Sequence, residues 1–195
     1  MIARAHRNLS RTDGGSGRSV WNVAMTNWRD DRIGSAMRGE NPMVLAQMPS
    51  GFAVIGDTQF LPGYAVLLAS PRVDRLTGLS QADRSRFLLD MSLLGEAIEH
   101  ACAADGLVRV NDEILGNTDT YLHAHVFPRY AWESAELLSG PVWHYSRDHW
   151  TEARYQYDDT VHARLRSRIT ERLLHLANPE QAVRELPDTQ VLTES

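Results

Sequence analysis

Two histidines that stand two positions apart, His123 and His125, are the residues of this sequence best suited to chemistry. They lie in the run from Tyr121 to Arg129, whose composition and alternation predict a β-strand. Side chains on a strand alternate between its two faces, so Tyr121 and both histidines are expected to share one face. Two neighbouring imidazoles suit a nucleophile beside a phosphate-binding partner, or a pair of metal ligands.

The histidine pair alone does not identify a function. With 8 histidines in 195 residues, chance gives about 0.3 such pairs, so two histidines without a special role are an open alternative. Apart from Asp112 and Asp119, no third histidine or nearby carboxylate pair has obvious metal-ligand spacing, so a metal pair is the less favoured alternative. The loop at 116–120 offers a glycine and short polar donors that can point at an anion. This context favours phosphate chemistry.

Composition and charge narrow the class of protein. Hydrophobic residues make up 43% of the chain and charged residues 23%, a balance typical of one folded domain. The net charge of −5 argues against nucleic-acid binding, and no apolar run approaches the roughly 18 residues that a membrane helix needs. All 20 basic residues are arginine, which excludes lysine as a nucleophile. Cys102 is the single cysteine, which favours a cytoplasmic setting without disulfides.

The histidine strand needs a sheet and a covering helix, and apolar periodicity predicts both. Strands are predicted at 43–48, 52–55, 63–68, 107–111 and 121–128, with a short further strand at 141–145. Ser80 and Asp83 have the form of a capping box at the start of a long helix. That helix carries one apolar stripe, formed by Phe87, Met91, Leu94 and Ile98.

Further helices are expected at both ends of this region. A short one is predicted at 30–38, and a C-terminal one carries the stripe Val161, Leu165, Ile169, Leu173 and Leu176. The fold class is therefore α+β, an antiparallel sheet with one long crossing helix and an additional C-terminal helix. The expected organisation is a flexible arm at 1–20, a catalytic domain at 21–150, and a C-terminal helix and tail at 151–195.

Three segments together resemble the histidine triad (HIT) nucleotide hydrolases and transferases. They are 52–67 with its Pro62-Gly63-Tyr64, the capped helix at 79–98, and the loop and strand at 116–129. The ending Pro128-Arg129 is most similar to the dinucleoside polyphosphate hydrolase branch. The family has three alternating histidines, and Tyr121 stands in place of the first. The resemblance implies a HIT-like fold, a nucleotide substrate, a homodimer and no cofactor.

The resemblance also implies roles for individual residues. His123 matches the middle histidine and would attack the α-phosphorus of a nucleotide, giving a covalent intermediate that water or another acceptor resolves. His125 would donate to a phosphoryl oxygen, while Thr118 and Asn117 would orient phosphates and help the leaving group. Further substrate contacts are expected from Asn111, the weakest candidate, and from Tyr121, Asp57 and Arg129.

Two of these assignments stay open in the sequence. The acid or amide that holds the ribose in the family aligns with Gly56, so Asp57 is either its replacement or only a turn residue. Arg129 is expected either to contact phosphate or to pair with Glu133. An aromatic group that follows the strand, Trp132, Trp143 and Trp150 with nearby tyrosines, forms either a nucleobase pocket, a subunit interface or ordinary packing.

Three functions are compatible with the sequence. The first is an enzyme that acts on dinucleoside polyphosphates or related adenylyl compounds. The second is a nucleotide-binding or sensor protein with little catalysis, because Tyr121 and Tyr64 stand where the family has histidines. The third is a metal-dependent enzyme that uses His123 and His125.

Overall fold

The computed structural model describes residues 27–177, and the arm predicted at 1–20 and the tail after 177 lie outside the described residues. Its centre is a five-stranded antiparallel sheet with the strand order β1-β2-β3-β5-β4. The strands are β1 (Val44–Met48), β2 (Gly51–Ile55), β3 (Ala65–Ala69), β4 (Leu107–Glu113) and β5 (His123–Tyr130). Five of the predicted strands are thereby confirmed, with shifted ends.

Five helices accompany the sheet in the described region. They are α1 (Arg32–Met37), α2 (Gln81–Cys102), α3 (Ala135–Ser139), α4 (Arg147–Thr151) and α5 (Asp159–Ala177). The α+β fold class predicted from the sequence is confirmed. No helix between residues 27 and 177 has the length and apolar character needed to cross a membrane.

The prediction of a strand at 141–145 is wrong. Residues Val142–His144 form a 3₁₀ turn, in which the amide of His144 donates to the carbonyl of Pro141. Pro141 has a φ of −64° and no N–H group, so the start of this segment cannot donate to a strand ladder. The apolar composition of the segment reflects burial of Val142, which is fully covered.

Helix α2 covers one face of the sheet with its predicted apolar stripe. Phe87, Leu94 and Ile98 are each completely buried. The helix begins as predicted, because the Ser80 hydroxyl accepts from the amide of Asp83 at 3.1 Å and donates to its carboxylate at 2.7 Å. One of the unpaired amides of the first turn is thereby satisfied, and the second bond holds the two side chains together.

Helix α5 lies against α2 and β1. Ile169 and Leu173 are completely buried in these contacts, so the middle of the predicted C-terminal stripe is confirmed. Val161, which the periodicity placed on the same stripe, is 71% exposed, because it stands in the first turn of α5.

The opposite face of the sheet carries the histidines. His123 lies beside Leu68 of β3, and His125 lies between Val66 of β3 and Glu113 of β4. Strand β5 is thus hydrogen-bonded to β3 on one side and to β4 on the other, and these ladders hold the backbone of the two histidines in place. Helix α1 and the segment 141–157 stand over this face beside the histidine pair, where Arg32, Trp143 and Trp150 line its two cavities.

Candidate active site

The two histidines are joined in one chain of hydrogen bonds. The Nδ1 atom of His123 lies 2.8 Å from the carbonyl oxygen of Tyr121, and its Nε2 atom lies 3.1 Å from Nε2 of His125. At the other end, Nδ1 of His125 lies 2.7 Å from the hydroxyl of Tyr64. The chain therefore runs from Tyr64 through both imidazoles to a main-chain carbonyl.

The partners at the two ends fix where the protons stand when both imidazoles are neutral. A carbonyl only accepts, so Nδ1 of His123 carries the hydrogen and Nε2 of His123 presents a lone pair. His125 then donates to that lone pair with its Nε2–H. Its Nδ1 is left as an acceptor for the O–H of Tyr64. The result is a nucleophilic nitrogen and a donor nitrogen 3.1 Å apart.

Burial keeps both groups beside His123 uncharged. Desolvation, and to a lesser extent the charge of His123, lowers the pKa of His125 to about 4. Desolvation also raises the pKa of Tyr64 far above its usual range, with the Asp57 carboxylate acting in the same direction. At neutral pH, His125 is therefore a neutral donor and Tyr64 keeps its hydroxyl proton.

The main chain next to His123 is held on both sides. The amide of Leu122 donates to the carbonyl of Val73 at 2.6 Å, and the carbonyl of Leu122 accepts from the amide of Ala69 at 3.1 Å. These bonds hold the carbonyl of Tyr121 in place for His123. The side chain of Tyr121 tilts against the imidazole of His123, with 5.2 Å between the ring centres.

A cavity of about 420 Å³ opens on one side of the histidine pair. The predicted residues Asn117 and Thr118 belong to the loop that forms one of its walls, and both are exposed. The remaining lining residues are Tyr64, Leu115, Gly116, Asp119, His123, His125, Trp143 and Trp150. The structure therefore brings the predicted loop and both histidines to one cavity of the size that small-molecule ligands occupy.

A smaller cavity of about 130 Å³ lies on the other side of the same histidines. Asp57 and Tyr121, both predicted from the sequence, line it together with Arg32 of α1. The carboxylate of Asp57 accepts two bonds from Arg32, at 3.0 and 2.5 Å. Asp57 thus stands next to the histidines, but its carboxylate is already engaged by a bidentate ion pair.

Two predicted substrate contacts have other surroundings. Arg129 is 1% exposed and donates to the Glu133 carboxylate and to the carbonyls of Leu137 and Gly140. The prediction that Arg129 contacts phosphate is wrong, because its guanidinium is buried and donates to these internal acceptors. The alternative prediction, a pair with Glu133, is confirmed. Asn111 lies opposite Phe127 on the histidine face, yet it lines neither cavity at the histidine pair.

Sequence reasoning missed the contribution of Arg32 and left that of Tyr64 undefined. Arg32 lies 25 positions before Asp57, and no local pattern connects the two. For Tyr64 the signal was present, since it follows Pro62-Gly63 at the place where the resemblance expects a histidine. Of the three tryptophans left open, Trp143 and Trp150 line the larger cavity, whereas Trp132 stacks on Tyr130.

No group of three or more histidine, cysteine, aspartate or glutamate side chains within the described range 27–177 is arranged to hold a metal ion. His123 and His125 instead point their Nε2 atoms at each other. The two imidazoles of the pair are therefore hydrogen-bonded to each other in this arrangement.

No protein-family model and no curated protein matches the chain. Among solved structures, a histidine triad protein from Sinorhizobium meliloti has a TM-score of 0.56 at 18% identity, over 67% of this chain and 88% of that chain. One from Marinobacter aquaeolei has a TM-score of 0.56 at 21% identity, over 69% and 90% of the two chains.

A third similar structure is a hypothetical histidine triad nucleotide-binding protein from Sulfolobus tokodaii. Its TM-score is 0.54 at 17% identity, over 74% of this chain and 93% of that chain. The fold of the chain is thus the histidine triad fold. The resemblance read from the sequence is confirmed at the level of the fold.

Proposed function

We propose that the protein is a nucleotide hydrolase or nucleotidyltransferase of the histidine triad type, with His123 as its nucleophile. Its substrates are dinucleoside polyphosphates or related adenylyl compounds. The observation that carries the proposal is the hydrogen-bond chain through His123 and His125. It leaves an unprotonated Nε2 on His123 beside a donor on His125, at the edge of a ligand-sized cavity.

The first step is substitution at the α-phosphorus. Nε2 of His123 attacks phosphorus, and the bond from phosphorus to the leaving oxygen breaks with its electron pair. The phosphorylated imidazole of His123 keeps its Nδ1–H and becomes positively charged, and the carbonyl of Tyr121 stabilises that charge. The Nε2–H of His125 turns from His123 to a phosphoryl oxygen, where negative charge increases in the transition state.

The second step releases the nucleotide. Water attacks the same phosphorus, the phosphorus–nitrogen bond breaks, and its electron pair returns to Nε2 of His123. The water oxygen stays in the product phosphate with one of its protons, and the other proton goes to solvent. Asn117 and Thr118 stand across the cavity, where their polar side chains can orient the phosphates and assist the leaving group. An acceptor other than water gives nucleotidyl transfer by the same route.

The decisive experiment compares the wild type with His123→Ala on diadenosine polyphosphates and adenosine phosphoramidate, with chelator present. We expect AMP from the wild type only, and an adenylylated protein in mass spectra of the wild type quenched with acid-free denaturant. His100→Ala is the matched control, because His100 is exposed on α2, which covers the opposite sheet face. Turnover by His123→Ala equal to that of the wild type would refute the proposal that His123 is the nucleophile.

The alternative of a nucleotide-binding or sensor protein makes a different prediction in the same experiment. It requires nucleotide to bind the wild type with no product and no covalent adduct. The tyrosines at positions 64 and 121 are the observation that favours it. Turnover that appears only when the chelator is left out would instead favour the metal-dependent enzyme.

The proposal extends to assembly and compartment. We propose a homodimer, because β4 has a strand neighbour on one side only in the described sheet and an edge strand offers backbone groups for pairing. Val108 on that strand is 52% exposed. Sedimentation equilibrium should then give twice the chain mass, and a monomer would contradict this part. A cytoplasmic setting is proposed from the single cysteine.

A further inference from the structure

The water molecule that releases a nucleotide from His123 has to lose a proton, and the site contains few groups able to accept it. The attacking oxygen approaches phosphorus roughly in line with the bond that breaks, opposite Nε2 of His123. That is the position which the leaving group vacates. It lies towards the larger cavity, whose wall carries Asn117 and Thr118. The proton acceptor is therefore expected along this wall.

The histidines and tyrosines at the site do not suit this role. In the covalent intermediate, Nε2 of His123 is bonded to phosphorus, and Nδ1 of His123 keeps the hydrogen that faces the carbonyl of Tyr121. His125 uses its Nε2–H as a donor, and its Nδ1 accepts from the hydroxyl of Tyr64. Burial raises the pKa of the hydroxyls of Tyr64 and Tyr121, so both keep their protons. None of these four side chains is therefore a base in the second step.

Two of the neighbouring carboxylates are engaged by other side chains. Asp57 accepts two bonds from the guanidinium of Arg32, at 3.0 and 2.5 Å. Glu113 accepts from Nε1 of Trp143 at 2.6 Å. Glu113 also lines neither cavity at the histidine pair. Neither carboxylate stands free at the wall where water approaches phosphorus.

Asp119 differs from these carboxylates in its position and in its partners. It follows Thr118 on the loop that forms the wall of the larger cavity, and, like His123 and His125, it lines both cavities. Within the part of the chain that the structure describes, its carboxylate takes part in no ion pair or side-chain hydrogen bond. Burial raises the pKa of Tyr121, and the charge of Asp119 acts in the same direction. The carboxylate therefore lies near the ring that contacts His123.

We propose that Asp119 is the general base of the second step. Its carboxylate takes one proton from water as the oxygen bonds to phosphorus, and the bond from phosphorus to Nε2 of His123 breaks with its electron pair returning to nitrogen. The product phosphate keeps the oxygen and the second proton. Asp119 is exposed, so it then passes its proton to solvent. The inference rests on the proposed function and adds to it a catalytic residue beyond the two histidines.

Single-turnover kinetics separate the formation of the covalent adduct from its hydrolysis. The substrate is the diadenosine polyphosphate or adenosine phosphoramidate that the wild type cleaves, and the adduct and AMP are followed by mass spectrometry after quenching in acid-free denaturant. Asp119→Asn keeps the size of the side chain but removes the base. We expect the adduct to form at least as fast as in the wild type and to decay about 10²- to 10⁴-fold more slowly, so that it accumulates. Asp74→Asn is the matched control, because Asp74 is exposed and lines neither cavity at the histidines.

Hydroxylamine tests whether the slow step of the variant is the activation of water. Its neutral nitrogen attacks phosphorus before it loses a proton, so the attack needs no base. We expect hydroxylamine to release the nucleotide from Asp119→Asn as fast as from the wild type. A slower release would overturn the general base, because the variant would then have a misplaced adduct.

The same measurements distinguish failure of the general base from failure of the proposed function. Equal decay of the adduct in water by the wild type and Asp119→Asn, or no accumulation in the variant, would overturn the role of Asp119 and leave His123 as the nucleophile. Absence of both adduct and turnover in the wild type would overturn the proposed function, and this inference with it.

Discussion

Replacing Tyr64 by phenylalanine tests whether the proton arrangement of the histidine pair matters for activity. The hydroxyl of Tyr64 lies 2.7 Å from Nδ1 of His125. The ring of Tyr64 stacks on Phe127 at 4.2 Å between centres, and phenylalanine keeps that packing. The substitution therefore removes one donor and little else.

The expected effect follows from the tautomers of His125. Without the Tyr64 donor, Nδ1 of His125 can carry the hydrogen, and its Nε2 then presents a lone pair to the lone pair of His123. The molecules in that state lack the donor for the phosphoryl oxygen. Loss of such a donor costs about 10²–10³-fold in kcat, and some molecules keep the active tautomer. We therefore expect kcat to fall by about 10- to 100-fold with little change in KM.

The assay pairs turnover with a direct measurement of the tautomer. The ¹⁵N shifts of the His125 imidazole should show a hydrogen on Nε2 in the wild type and a mixture in Tyr64→Phe. Tyr130→Phe is the control, because its buried hydroxyl donates to the carbonyl of Pro62 on the α2 side of the sheet. An unchanged tautomer together with a kcat within twofold of the wild type would refute the reasoning.

Three further predictions concern stability. Arg129→Met leaves the Glu133 carboxylate buried without its cation and should lower the free energy of unfolding, measured in urea, by about 3–5 kcal/mol. Arg154→Met removes an exposed ion pair and should change that free energy little. Equal losses in the two variants would contradict the argument. The pKa of His125 is about 4 in the folded state and about 6.5 in the unfolded state, so the unfolded state takes up the proton first as the pH falls. Between about pH 6.5 and pH 4 the free energy of unfolding of the wild type should therefore fall by up to about 3 kcal/mol relative to that of His125→Gln. Parallel curves of stability against pH for the two proteins would contradict this. Ser80→Ala removes the cap of α2 and should cost about 1 kcal/mol in thermal unfolding followed by circular dichroism, and an unchanged Tm would exclude a capping role.

The sequence predicted the fold well where the pattern was local. The stripe at Phe87, Leu94 and Ile98 and the cap at Ser80 are sufficient to place α2, because helix periodicity and capping depend on residues within a few positions. The segment 141–145 failed for the opposite reason. Its apolar residues suit a strand, but strand formation needs a partner edge and amides, and Pro141 offers no amide.

The residues of the candidate site likewise fall into those that a local pattern predicts and those that only the three-dimensional fold brings together. The shared face of His123 and His125 follows from strand alternation, and the loop with Asn117 and Thr118 follows from its short polar side chains. The contributions of Arg32 and Trp143 depend on segments far apart in the chain that meet only in three dimensions. The position of Arg129 near the end of the predicted strand suggested a phosphate contact, but the fold of residues 133–140 encloses its guanidinium.

The two tyrosines that depart from the family pattern are compatible with an active nucleophile for a structural reason. The partner of Nδ1 in His123 is the main-chain carbonyl of residue 121, which every amino acid supplies, so tyrosine in place of histidine leaves that bond intact. Tyr64 donates to Nδ1 of His125, and because burial raises its pKa it keeps the hydroxyl proton that it donates. A tyrosine at position 64 also accounts for Gly56.

A Cβ atom on Gly56 would lie 2.2 Å from Cδ1 of Tyr64, which no side chain can tolerate. The acid or amide expected there from the resemblance is therefore incompatible with the Tyr64 ring. Asp57, the next residue, is paired with Arg32 instead of standing free for a ribose. The tyrosine at position 64 thus supplies the donor to Nδ1 of His125 and at the same time leaves no space for a side chain at position 56, where the resemblance places the group that holds the ribose.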